Sequence, residues 1–223
     1  MKAMILAAGR GERLRPLTDS IPKPLLKVGK YRLIEYIIQA LVKAGITEII
    51  INTAHLADQF PATLGNGQQY GANIIYSLEQ EGALETAGGI INALPLLGDE
   101  SFLIVNGDVW TDYDYQKLVE KPLSTDCMCH LVMIANPDHN PLGDFAISSG
   151  LIVSEGDIKY TYSGIGIYHP ALFAGLAVQR LALKPILLKA IAQSQINGEL
   201  YQGAWSDIGT IERLEDLAAN LNT

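Results

Sequence analysis

The sequence predicts an α/β protein: a Rossmann-like, mostly parallel sheet with helices on both faces. Short apolar runs at 4–8, 48–53, 73–78 and 102–106 read as buried strands. Between them lie stretches whose apolar residues recur at helical spacing. Strands alternating with helices are what a parallel sheet with crossover connections requires. No linker, repeat or low-complexity tract divides the 223 residues, so 1–223 is expected to be one domain.

The first strand, 4–8, runs directly into Gly9-Arg10-Gly11. Leu33, Ile34, Ile37, Ile38, Leu41 and Val42 mark a helix that Gly45 stops. The second strand, 48–53, is followed by Leu56, Phe60 and Leu64, which suggest a helix ending at Gly65. Pro61 limits where that helix begins. The third strand is 73–78; the stretch 79–89 then reads as a polar loop running into a helix that reaches about Leu94. The fourth strand, 102–106, ends in Gly107-Asp108. Beyond Asp108 the pattern loosens. Strands are expected at 130–135, 144–154, 158–169 and 201–205, with a turn-rich loop at 136–142. Helices are expected at 185–193 and 210–221, the latter capped by Thr210 with Arg213, Glu215 and Asp216 outward. The nucleotide half is expected to end near residue 112 and a small integral lobe to occupy 113–223.

Ligands of such sheets bind beyond the carboxyl ends of the strands. The glycine loop and Asp108 both fall at such ends, so they can share one crevice although a hundred residues separate them. Glycines at 9 and 11 let backbone N–H groups approach an anion, and three arginines and a lysine follow (Arg10, Arg13, Arg15, Lys23). The stretch describes a seat for a polyphosphate. It is not a P-loop, which needs Gly-Lys-Ser/Thr after four intervening residues. Nor is it a dinucleotide fingerprint, because Leu14 stands where the third glycine belongs.

The net charge of −8 argues against nucleic acid as a partner. Its distribution accommodates a phosphate ligand: eight of the sixteen Lys and Arg lie in the first 32 residues, against Glu12 and Asp19. No apolar run reaches the roughly 18 residues that span a bilayer, and no secretory leader is evident, so no membrane association and a cytoplasmic location are expected. Cys127 and Cys129 lack further metal ligands nearby and read as reduced thiols. The four histidines are scattered and read as structural.

Phosphoryl chemistry on a nucleotide needs its charge neutralised, usually by Mg²⁺ on one or two carboxylates. Asp108 ends a buried strand, where a carboxylate without a partner is costly. Asp207, in Trp205-Ser206-Asp207-Ile208-Gly209-Thr210, stands at a strand-to-helix turn; alone it also reads as a helix cap. Arg13 suits a two-pronged phosphate clamp and Lys23 a mobile point charge.

The opening pattern, Leu6-Ala7-Ala8-Gly9-x-Gly11-x-Arg13-Leu14-x-Pro16-Leu17-Thr18 with Pro22-Lys23-Pro24, resembles the signature of the sugar-1-phosphate nucleotidylyltransferases. That resemblance implies a fold of the nucleotide-diphospho-sugar transferase type with the lobe on the sugar side. It implies Asp108 and Asp207 as ligands of Mg²⁺, Arg13 against the departing phosphates and Lys23 against the α-phosphate or sugar phosphate. It also implies nucleotide contacts from Leu6, Ala8, Gly9, Gly11, Glu12, Thr86, Gly88 and Asn106. Val105 to Asp114, Gly143-Asp144-Phe145, Glu85-Thr86 and Ser163-Gly164-Ile165 resemble more closely the N-acetylmuramate 1-phosphate uridylyltransferases of cell-wall sugar recycling. UTP and N-acetylmuramate 1-phosphate are then the implied substrates, with Asn106, Gly143, Asp144, Glu155 and Ser163 on the sugar. Where many relatives carry E-K-P, residues 153–157 keep only the acid, Glu155. The alternatives are guanylyl transfer to mannose 1-phosphate, uridylyl or thymidylyl transfer to a hexose 1-phosphate, and a non-enzymatic sugar-nucleotide-binding subunit. The last would be expected to have lost its aspartates or lysine. The sequence does not give the oligomeric state.

Overall fold

In chain order the strands are β1 (Ala3–Leu6), β2 (Lys27–Val28), β3 (Tyr31–Arg32), β4 (Glu48–Thr53), β5 (Asn73–Leu78), β6 (Phe102–Asn106), β7 (Val109–Thr111), β8 (Cys129–Ile134), β9 (Ala146–Ser148), β10 (Leu151–Val153), β11 (Thr161–Tyr168), β12 (Ile196–Tyr201) and β13 (Trp205–Asp207). The helices are α1 (Leu33–Lys43), α2 (Gln59–Leu64), α3 (Glu85–Leu97), α4 (Gln116–Glu120), α5 (Leu183–Ile191) and α6 (Ile211–Leu221). They come from a computed structural model that describes residues 1–79, 84–121 and 123–221. The part of the expected polar loop at 80–83 lies outside the described residues.

Nine strands form one mixed sheet in the order β5-β4-β1-β6-β11-β8-β12-β10-β9. Its first four members are mutually parallel, β11 runs antiparallel to both β6 and β8, β12 is parallel to β8, and β10 is reversed between β12 and β9. Only β10 and β11 therefore oppose the common direction. From β1 the chain builds outward to β4 and β5, then returns to place β6 on the other side of β1. The order reverses between β1 and β6, which is where such sheets bind ligands.

Alternation along the strands divides the core. Ala3 and Ile5 of β1 pack with α1 (Ile34, Ile37, Ile38, Leu41) and α2 (Phe60, Leu64) on one face. Met4 packs with α3 (Ala87, Ile90, Ile91) and α5 (Leu183, Leu187) on the other. Burying each such side chain stabilises the fold by roughly 1.5–3 kcal/mol. Glu35 secures the start of α1 by accepting from the Arg32 N–H at 2.6 Å, and Gly45 at φ 80° follows the helix end. Val28, Leu33, Ile208 and Leu217 form a third cluster that docks α6 beside the opening segment. Cys127 and Cys129 are free and buried, and burial pushes the Cys129 thiol well up.

Several expectations change in the second half. The strand expected at 144–154 is a hairpin, β9 and β10, because the chain turns at Ser149-Gly150, both with positive φ. The strand expected at 201–205 is two strands: β12 ends where it should begin, and β13 starts where it should end. In β12, Gly198 is needed because a Cβ there would stand 2.2 Å from Ile152 Cδ1. Thr210 caps α6 as expected, accepting from the Arg213 N–H at 3.3 Å.

Glu199 of β12 is held inside the sheet face by the Tyr113 hydroxyl, which donates to Oε1 at 2.7 Å. The His130 ring nitrogen, buried without a hydrogen-bond partner, lies 3.6 Å from Oε2, and Lys121 lies at 3.9 Å. His130 first, with Tyr113 and Lys121 adding, holds the Glu199 carboxyl down to about 2 from 4.5. A carboxyl lowered by folding stabilises above its unfolded value and loses that contribution as pH falls. Glu199→Gln is therefore expected to lower the melting temperature at neutral pH. The gap to the wild type should close between about pH 4.5 and about pH 2; a gap constant across that window would show that the charge is not responsible.

Candidate active site

The loop after β1 enters a 3-10 turn, Glu12–Leu14, through Gly11 at φ 69°. A Cβ on Gly11 would stand 3.0 Å from Thr18 Cγ2 and 3.1 Å from Lys23 Cβ, so glycine lets the loop close on the Lys23 segment. Thr18 Oγ1 donates to the Gly11 carbonyl at 2.9 Å. Beneath the loop runs a buried polar chain. The Ala7 N–H donates to Asn52 Oδ1 (2.7 Å), Asn52 Nδ2 to Glu79 Oε1 (2.6 Å), and the Leu84 N–H to Glu79 Oε2 (2.7 Å). It ties the glycine loop to the start of α3.

Of the cations gathered in the first 32 residues, Arg13 and Lys23 reach the cleft. Arg10 and Arg15 pair with Glu12 and Asp19 at the surface, Lys2 donates to the Leu96 carbonyl, and Arg32 to the Leu25 carbonyl. The cleft measures about 360 Å³. Leu6 lines it together with Gly9, Gly11, Glu12 and Arg13 of the glycine loop and with Lys23, Thr86, Asn106, Asp108 and Gly209. The Lys23 ammonium, 11% exposed, makes an ion pair with the Asp108 carboxylate.

Asp207 does not itself line this cleft; the sheet sets it one rung from Asp108, which does. β13 pairs antiparallel with β7, setting Asp207 opposite Val109, and the Ile208 N–H donates to the Asp108 carbonyl at 2.9 Å. The two aspartates thus stand on neighbouring rungs. Asp207 Oδ1 is paired with Arg213 and lies 3.1 Å from His139 Nε2. Arg213, expected outward, turns in to meet this carboxylate, while Glu215 and Asp216 stay exposed. A Cβ on Gly209 would stand 2.4 Å from Arg213 Nη2 and 3.1 Å from Arg13 Nη2, so both guanidinium groups lie against Gly209.

Carboxylates are hard-oxygen donors suited to a Mg²⁺-like ion; Asp108 offers one in the cleft wall and Asp207 another from the neighbouring rung. Among the described residues no group of three or more His, Cys, Asp or Glu could hold a metal. An ion here would therefore complete its shell with substrate oxygens and water, as Mg²⁺ commonly does.

A second cleft of about 420 Å³ shares Thr86 and Asn106 with the first and continues past Glu85, Asp144, Phe145, Tyr162 and Lys184. Asp144 Oδ2 accepts from the Tyr162 N–H at 3.0 Å and from Asn140 Nδ2 at 3.3 Å. Gly143, at φ 66°, fits beneath it: a Cβ would stand 2.8 Å from Asn136 Oδ1.

Six expected site residues line neither cleft: Asp207 and Gly143, placed above, and four others. Ala8 is buried under the loop. Gly88 packs against backbone, where a Cβ would stand 2.1 Å from the Gln179 carbonyl oxygen. Ser163 is buried and donates to the Val132 carbonyl at 2.7 Å, bracing the irregularity of β11 against β8. Glu155, with its carboxylate 84% exposed, pairs with Lys159 at 3.0 Å and lines a different cleft. Sequence reasoning missed Asn52 and Glu79, and took His139 and Arg213 for structural or solvent residues. Asn and Glu among apolar strand ends were the available signal for the first two.

Residues 2–147 match the Nucleotidyl transferase family. The chain is 48% identical over 98% of its length to the N-acetylmuramate alpha-1-phosphate uridylyltransferase of Neisseria meningitidis serogroup B, covering 97% of that protein. It is 30% identical over 94% of its length to the mannose-1-phosphate guanyltransferase beta-A of Xenopus laevis, of which it spans 61%. The solved structure of a putative glucose-1-phosphate thymidylyltransferase from Bacillus anthracis, in complex with sucrose, superposes with a TM-score of 0.87. That likeness covers 99% of this chain and 94% of the other at 26% identity. Enzymes of this kind generally use a divalent metal. With its glycine loop, the Arg13 and Lys23 that reach the cleft, and this match over residues 2–147, the chain belongs to the nucleotidyl transferase family.

Proposed function

We propose that this enzyme transfers the uridylyl group of UTP to N-acetylmuramate 1-phosphate, giving UDP-N-acetylmuramate and pyrophosphate in the recycling of cell-wall sugars. The observation that carries the reading is the pair of clefts joined at Thr86 and Asn106. One is faced by Arg13, Lys23 and Asp108, the other by Asp144 and Lys184. A triphosphate in the first would present its α-phosphorus to a sugar phosphate in the second. The chain works as one domain, with the nucleotide half ending near residue 112.

Asp108 and Asp207 would hold Mg²⁺, which supplies neutralisation of the triphosphate charge. Lys23 leaves Asp108 to hold the α-phosphate oxygens, where charge grows as the nucleophile approaches. Arg13 holds the β- and γ-phosphates, fixing the leaving group in line. An oxygen of the sugar phosphate forms the new bond to the α-phosphorus, and the bond to the bridging oxygen of pyrophosphate breaks with its electron pair. A phosphate monoester is already nucleophilic at neutral pH, so no general base is required. The cleft wall offers none beyond carboxylates already paired with cations.

Pyrophosphate release from UTP, GTP and dTTP, each with N-acetylmuramate, glucose and mannose 1-phosphates, tests the reading. UTP with N-acetylmuramate 1-phosphate is expected to give the highest kcat/KM. Faster guanylyl transfer to mannose 1-phosphate would replace it with the alternative suggested by the Xenopus relative.

A further inference from the structure

N-Acetylmuramate differs from N-acetylglucosamine by a lactyl ether on O3, which adds one carboxylate. A pocket for it needs a cation that no other group on the protein holds tightly. Three lysines of the second half offer themselves: Lys159, Lys184 and Lys189. Lys159 is paired with Glu155 in a different cleft. Lys189 lines a cavity with Met128, Ala171 and Ile186, away from both clefts.

Lys184 alone among them lines the cleft that holds Asp144 and Asn106. It sits in the first turn of α5, on the segment Ala182-Leu183-Lys184 that forms one wall. The cleft also presents two acids, Glu85 and Asp144, and its charge is balanced pair by pair. Arg180 Nε holds Glu85 Oε1 at 2.9 Å. Lys184 Nζ stands 3.7 Å from Asp144 Oδ1, too far for a hydrogen bond, and 5.9 Å from the centre of the Phe145 ring. Its side chain is 61% exposed, so it is free to swing toward a ligand. Asp144 does not depend on it, because the Tyr162 N–H and Asn140 hold its other oxygen.

We propose that Lys184 is the residue that recognises the lactyl carboxylate and so selects the muramyl sugar. The inference rests on the function proposed above and names the sugar-side determinant of that site. When the carboxylate enters, Lys184 exchanges its loose contact with Asp144 for a direct charge-assisted hydrogen bond. Asp144 is then left facing the sugar hydroxyls. A sugar without the lactyl group leaves Lys184 where it is and gains nothing from it.

The test compares uridylyl transfer to N-acetylmuramate 1-phosphate and to N-acetylglucosamine 1-phosphate by wild type, Lys184→Gln, Lys184→Arg and, as control, Lys189→Gln. Lys184→Gln is expected to raise KM for the muramyl sugar about 10- to 100-fold, the range for losing a hydrogen bond to a charged group. Its kcat should be little changed, and KM for the glucosamine sugar should move by less than about 3-fold. Lys184→Arg should restore most of the preference, and Lys189→Gln should match the wild type. Equal losses on both sugars would make Lys184 a support for Asp144 only, and an unchanged ratio would remove it from the site; either overturns the proposal. A wild type that does not use the muramyl sugar overturns the functional reading itself, which separates the two failures.

Discussion

Asp108→Asn is expected to abolish turnover, by at least about 10³-fold in kcat, while the protein still folds. The substitution keeps shape and removes one negative charge at the carboxyl end of β6. It strips the donor set of one of two carboxylates and leaves the Lys23 ammonium, which Asp108 balances in the free protein, without its counter-ion. Asp108 is 32% exposed, so solvent replaces much of that pairing. The structural cost is on the order of 1 kcal/mol, worth about 2–4 °C in a chain of this size. Steady-state pyrophosphate release, read beside a circular-dichroism melt, separates the two effects. Turnover within ten-fold of the wild type would take Asp108 out of the metal role.

Lys23→Ala is expected to lower kcat/KM by about 10²–10³-fold, equivalent to ~2.7–4 kcal/mol of transition-state stabilisation. Lys23 is placed by the Pro22-Lys23-Pro24 turn, and its stem lies against Gly11 of the glycine loop. Arg13 is committed to the other end of the triphosphate in the proposed arrangement. If Lys23 acts mainly on charge that develops during transfer, kcat should fall along with kcat/KM. A rise in KM with unchanged kcat would make it a ground-state contact instead.

The nucleotide half was legible because its strands are buried on both faces. Sequences such as Ile49-Ile50-Ile51 and Leu103-Ile104-Val105 have few alternatives to a parallel core strand. β12 was not legible for the opposite reason. Its sequence, Ile196-Asn197-Gly198-Glu199-Leu200-Tyr201, is largely half-buried, and its polar members are satisfied by partners remote in the chain, such as Tyr113 for Glu199. Within the site, Arg13 and Asp108 could be named from local pattern, since one follows a glycine turn and the other a strand end; Lys23 stands out as a cation between prolines, and Asn106 came only with the family resemblance. Arg213 could not. It lies one turn before Leu217, on the flank of the docked face of α6, and only the docking of that helix beside β13 turns it onto Asp207. Gly88 and Ser163 illustrate the converse, where motif positions are occupied by residues that the packing itself demands.

In the free enzyme each aspartate is already paired with a cation: Asp108 with Lys23 in the cleft, and Asp207 with Arg213, with His139 beside it. A polyphosphate that drew Lys23 away alone would strand a carboxylate, and an ion that captured Asp108 alone would strand an ammonium. Either half-exchange forfeits an electrostatic pairing that the other ligand would restore. If metal and nucleotide bind as proposed, they are thermodynamically linked, each tightening the hold on the other by the same factor. The resting protein meanwhile carries little unbalanced charge at its centre, which discourages capture of stray inorganic anions.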